Sequence, residues 1–123
     1  MLASGYKLDN MVMFIDKNRF SLTDSTEAVL PSGPLDKKLE AFGWHVLTID
    51  GHSVGEIKNA LNTARTIKGK PTAIIAHTVK GKGISFYADK AISHSVSISG
   101  TEAVSALQEL GCTREEIIES LKK

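Results

Sequence analysis

Three apolar runs punctuate the chain: "MVMFID" at residues 11–16, "WHVLTID" at 44–50 and "PTAIIAHTV" at 71–79. None alternates cleanly between apolar and polar positions, so each reads as a strand of a parallel sheet covered on both sides, the first as buried on both faces. Between them the pattern changes to a helical period. Pro34 suits a first helical position, Leu35, Leu39 and Phe42 fall on one face, and Gly43 can stop that helix, predicting a helix over 34–42. Ser53 and Glu56 form a capping box, Ile57, Leu61, Ala64 and Ile67 continue as an apolar stripe, and Gly69 and Pro71 close it. Thr101 is expected to cap a short helix carrying Val104 and Leu107 and ending near Gly111. Thr113 and Glu116 form a second capping box ahead of Ile117, Ile118 and Leu121. Strands alternating with helices predict right-handed crossover units and an α/β fold: three layers, a mostly parallel sheet with helices on both faces.

Residues 19–33 and 80–100 carry neither period, and irregular segments that long are usually functional or disordered. There is no internal repeat, heptad run or low-complexity tract. A three-stranded parallel sheet that opens on an apolar strand has an unprotected edge. The expectation is therefore that the chain is part of a larger domain in which "MVMFI" is not exposed.

Composition narrows the partners. The 123 residues amount to one domain's worth of chain, with 41% hydrophobic and 24% charged residues, ordinary for a soluble globular protein. Lys and Arg number 15 against 14 Asp and Glu, which gives no general reason to expect nucleic acid or an acidic membrane as a partner. The single Cys112 excludes an internal disulfide and fits a reducing, cytoplasmic setting. No apolar run reaches the roughly 18 residues of a membrane helix, and "MLASGYKLDN" lacks the apolar core of a secretory signal.

The candidate chemistry lies where strands end. The first apolar run passes into Asp16, Lys17, Asn18 and Arg19, and open parallel sheets bind ligands beyond the carboxyl ends of their strands. Asn18 reads either as a turn former or as an oxygen ligand for a hard cation, with the Phe20 carbonyl, Asp16 and Asp24 as nearby donors. In "HTVKGKGISF", Gly81 and Gly83 flank Lys82, with Lys80 ahead of them. This is either a solvated basic turn or a close backbone approach to phosphate. Neither a P-loop nor a dinucleotide-binding glycine pattern is present. His45 and His77 sit within strands and read as structural, and His52 in "DGHS" either binds or orients its turn. His94 in the polar loop is a surface histidine or a proton donor to a phosphate or hydroxyl. None of the histidines shows zinc-ligand spacing with Cys112.

Taken together, "DKNRF", "EAFGWHV", "DGHS", "KPTAIIAHTVKGKGISF" and the later His94 resemble the transketolase family. They match the second half of its N-terminal, thiamine-diphosphate-binding domain. The resemblance spans roughly residues 7–94 and leaves 95–123 as a helical C-terminal tail of a partial domain; deoxyxylulose-phosphate synthases share the fold but fit the phrases less well. It implies that Asn18 and the Phe20 carbonyl hold a divalent cation, Mg²⁺ or Ca²⁺, on the cofactor diphosphate. It also implies that Lys80 approaches the cofactor and that His94, fourteen residues on, reaches the diphosphate and the reacting sugar phosphate. The implied reaction is two-carbon ketol transfer between sugar phosphates in the pentose phosphate pathway. The family's Gly-Asp-Gly sequence, whose Asp is the main metal ligand, is absent, and "SVSISG" follows His94 where the family has Gly and a Pro-containing run. The implied partners are an upstream half and a C-terminal subunit carrying the activating glutamate, in a homo- or hetero-oligomer. The alternatives are a non-catalytic fragment or assembly module, or a piece of another thiamine-diphosphate enzyme such as a deoxyxylulose-phosphate synthase.

Overall fold

The computed structural model describes residues 1–120, and the chain divides into two compact units. The first comprises Met1–Arg19 and Thr26–Thr78. Its frame is a three-stranded, wholly parallel sheet of β1 (Val12–Lys17), β2 (His45–Asp50) and β3 (Thr72–His77), in the order β1-β3-β2. Val12 and His45 both lie opposite Thr72, and Lys17 and Asp50 both lie opposite His77, so the strands begin and end flush. The parallel α/β architecture read from the apolar runs is therefore present; β2 and β3 lie within their expected limits, and β1 is shifted one residue onward, to end at Lys17.

The central strand is buried from Thr72 to Ala76, as suits its apolar run Ala73–Ala76. The outer strands correct the expectation of two covered faces. In β1 exposed and half-buried residues alternate, and Val12 and Phe14 are 38% and 45% exposed. Among the described residues β1 is an edge, paired to β3 alone, and its Val12–Phe14–Asp16 face is exposed. In β2, Thr48 and Asp50 are exposed while the remaining four residues are half-buried.

Four helices accompany this sheet in sequence: α1 (Leu2–Gly5), α2 (Thr26–Val29), α3 (Leu35–Ala41) and α4 (Val54–Thr66). α1 carries no pattern that foretells it, and α2 occupies part of the segment expected to be irregular. α3 starts after Pro34 and gives way to Gly43 at φ +83°, the left-handed stop that glycine accommodates. Ser53 caps α4 by accepting from the Glu56 N–H at 3.2 Å. The Glu56 carboxylate accepts from the Asp50 N–H at 2.8 Å, so the box partner of Ser53 also fixes the end of β2. Ala60 and Ala64 are the buried residues of α4. Asp9 accepts from the Gly69 N–H at 3.0 Å and secures the turn that leads into β3.

The second unit comprises Phe20–Ser25 and the chain from Val79 onward. Its elements are a short 3₁₀ turn (Ala91–His94), α5 (Gly100–Glu109) and α6 (Arg114–Ser120). Tyr87, Ala106 and Ile117 are buried in it. α5 begins after Ser99, not at Thr101; Thr101 lies inside the first turn, where its carbonyl accepts from the Ser105 hydroxyl at 3.0 Å. The Thr113–Glu116 box is formed, with the Glu116 N–H reaching the Thr113 hydroxyl at 3.3 Å and the Glu116 carboxylate accepting from the Thr113 N–H at 2.7 Å. Leu121, the last expected apolar position, lies outside the described residues. Among the described residues no helix is long and apolar enough to cross a membrane.

Candidate functional site

In the first unit, parallel pairing brings the carboxyl ends of all three strands to one rim. The Thr78 hydroxyl donates to the Asp16 carboxylate there. The Gly51 N–H donates to the His77 carbonyl at 2.8 Å, and the His52 N–H to Asp50 Oδ1 at 2.8 Å. His52 thus stands in a side-chain-braced turn at the rim. His77 is exposed at the last position of β3, while the Nε2 of His45, at the opposite end of the sheet, is buried without a protein partner.

Asn18 follows β1 directly and is half-buried. The next residue, Arg19, has φ +72°, a conformation that costs a side-chain-bearing residue energy and turns the backbone sharply. Thr26 holds the turn, donating to the Arg19 carbonyl from its N–H at 2.8 Å and its hydroxyl at 3.2 Å. Of the other oxygen donors suggested by the sequence, Asp16 takes the Thr78 hydroxyl, and Asp24 accepts from the Ser25 N–H at 2.6 Å. Among the described residues there is no group of three or more His, Cys, Asp or Glu that could hold a metal ion. The oxygens proposed from Asn18 and Phe20 are neutral, a donor set that fits a cation already carrying phosphate oxygens rather than a bare ion.

Phe20, Lys80 and His94 belong to the second unit. Phe20 is half-buried and pairs with Ser25 in a single antiparallel bridge. His94 ends the 3₁₀ turn and is exposed beside a depression of about 280 Å³ walled by Leu22, Thr23, Ala91, Ile92 and Ser95. The unit therefore brings His94 beside the short segment that carries Phe20. Lys80, which is half-buried, is not in that wall.

The loop bearing Lys80 is closely braced. Its carbonyl accepts from the Asp89 N–H at 2.8 Å, closing the segment into a ring. Gly81 has φ +71°, and a Cβ there would stand 2.7 Å from the Tyr87 carbonyl oxygen, so only glycine fits. The Ser93 hydroxyl donates to the same Tyr87 carbonyl. Burial, and then the Glu102 carboxylate, raise the Tyr87 phenol above its ordinary pKa. The Glu109 carboxylate accepts from the Ser85 N–H and from its hydroxyl at 2.7 Å, and these two bonds hold the carboxyl below its ordinary value. Ser85, Ser93 and Glu109 are functional candidates that sequence reasoning misses, since nothing periodic relates positions 85 and 109; the one available signal is a hydroxyl residue immediately before His94.

The comparisons with known proteins agree with this architecture. The family model described as "Transketolase, thiamine diphosphate binding domain" matches residues 1–120. The chain is 40% identical over 110 residues to the 6-deoxy-6-sulfo-D-fructose transketolase subunit SqwG of Clostridium sp. (strain MSTE9), covering 89% of this chain and 40% of that protein. It is 42% identical over 108 residues to the transketolase of Homo sapiens, covering 88% of this chain and 17% of that protein. The crystal structure of transketolase from Campylobacter jejuni superimposes with a TM-score of 0.81 at 28% identity, covering 96% of this chain and 20% of that one. The chain thus spans well under half the length of these relatives.

Proposed function

The chain belongs to the transketolase family, and from that premise we propose that it forms the diphosphate side of a thiamine diphosphate site for two-carbon ketol transfer between sugar phosphates. The observation that carries this reading is the flush parallel pairing of β1 and β3. The chain leaves those adjacent strands, at one end of the sheet, into Asn18 and toward Lys80. Ligands of open parallel sheets sit beyond that end.

In this reading Asn18 and the Phe20 carbonyl offer neutral oxygens to a divalent cation, Mg²⁺ or Ca²⁺, that also carries diphosphate oxygens. Lys80 offers a cation to the phosphate region. His94, exposed at its turn, holds or moves a proton at a sugar hydroxyl. The bound cofactor supplies the reactive carbon and the electron sink. The active assembly takes in an upstream segment with the charged metal ligand and a further subunit with the activating glutamate. With its single cysteine, the chain is suited to the cytoplasm.

Calorimetry tests this. The full chain is titrated with thiamine diphosphate and Mg²⁺, alone and after mixing with a polypeptide supplying the upstream half of the family domain. Binding in the mixture and its absence in the chain alone is the expected result. Absence of binding in both would leave a non-catalytic assembly module as the better reading.

A further inference from the structure

We propose that Ser93 is a positioning residue of this site, its hydroxyl setting the spacing between the backbone that carries Lys80 and the turn that carries His94. The proposal rests on the reading of Lys80 and His94 given above. Three stretches of chain meet at the Ser93 hydroxyl. It donates to the Tyr87 carbonyl, and it lies 3.2 Å from the point a Cβ on Gly81 would occupy. Gly81 adjoins Lys80, and Ser93 adjoins His94. Tyr87 is itself fixed: its ring is buried, and its N–H donates to the Ile84 carbonyl at 3.0 Å. The backbone bonds of the His94 turn are local and long, from Ser93 N–H to Lys90 at 3.2 Å and from Ser95 N–H to Ile92 at 3.3 Å. They shape the turn without reaching the Lys80 loop, whereas the Ser93 hydroxyl spans the two.

Removing a hydrogen bond of this kind changes a local equilibrium about two- to tenfold. The first experiment is amide hydrogen exchange on the full chain. Ser93→Ala should speed exchange at Asp89 and Ser95 about two- to tenfold, and Ser93→Thr, which keeps a hydroxyl, should restore it. Unchanged exchange at both amides in Ser93→Ala would overturn the proposal. The second is a double-variant cycle with His94→Ala, read by calorimetric titration of thiamine diphosphate and Mg²⁺ into the reconstituted complex. Ser93→Ala should weaken binding in the parent about two- to tenfold and have no further effect in the His94→Ala background. Additive losses would overturn positioning through His94. Parental affinity in His94→Ala would instead refute the site reading itself, and the proposal would fall with it.

Discussion

Glu109, the last residue of α5, accepts two hydrogen bonds from Ser85, one from the backbone N–H and one from the hydroxyl, and so ties the glycine-lysine loop to a helix 24 residues away. The backbone bond, then the hydroxyl, hold the folded carboxyl below its ordinary 4.5. A lowered carboxyl contributes stability above the unfolded pKa and loses it as pH falls through the folded one. The difference in melting temperature between the parent chain and Glu109→Gln should be full at neutral pH and shrink below about pH 4.5. A gap that stayed constant down to about pH 3 would contradict the clamp.

Gly81 should resist substitution for two separable reasons, its left-handed φ and its contact with the Tyr87 carbonyl. Gly69, at φ +74° with nothing within 4 Å of the point a Cβ would occupy, shares only the first. Left-handed backbone alone costs a non-glycine residue about 1–2 kcal/mol. Denaturant midpoints should therefore show Gly69→Ala losing roughly that much and Gly81→Ala losing more. Equal losses would mean that the loop relaxes away from Tyr87.

The sheet's centre should be the costliest place to remove volume. Ile74 is fully buried in β3, so Ile74→Ala should destabilise the chain by about 2–5 kcal/mol in urea unfolding. A loss below about 1 kcal/mol would indicate a site that collapses around the cavity.

Much of the frame is legible in the sequence, because β3 carries the apolar run Ala73–Ala76 and because Ser53, Glu56, Thr113 and Glu116 form helix starts by local chemistry. The burial of β1 departs from its sequence pattern for a physical reason. "MVMFI" would suit a central strand equally well, and whether it is central or an edge depends on strand order, which no local pattern encodes. Thr101 and Ser99 are both capping types, and α5 takes Ser99, two residues before the expected cap, with no side-chain cap bond. Asn18, Phe20, Lys80 and His94 are legible as candidates from their places after strands and in loops, but only the family phrases around them choose the cofactor reading over a turn former or a surface side chain. The bracing by Ser85, Ser93 and Glu109 depends on how distant segments pack, which is settled only in three dimensions.

The exposed β1 edge should make the chain associate. Val12 and Phe14 present apolar surface beside an unpaired strand edge, a combination that promotes self-pairing. Sedimentation should show mass rising with concentration for the parent and a largely monomeric Phe14→Lys. A parent chain that stays monomeric at high concentration would show that this edge is protected by other means.

The order β1-β3-β2 also sets a timetable. β1 and β2 are paired only to β3 among the described strands, and β3 is the last of the three to leave the ribosome. Until residues 72–77 emerge, the two earlier strands lack the partner that joins them among the described residues. Pairing of these three strands thus waits on β3, and a nascent chain halted before Thr72 would present β1 and β2 without it to the cell's chaperones.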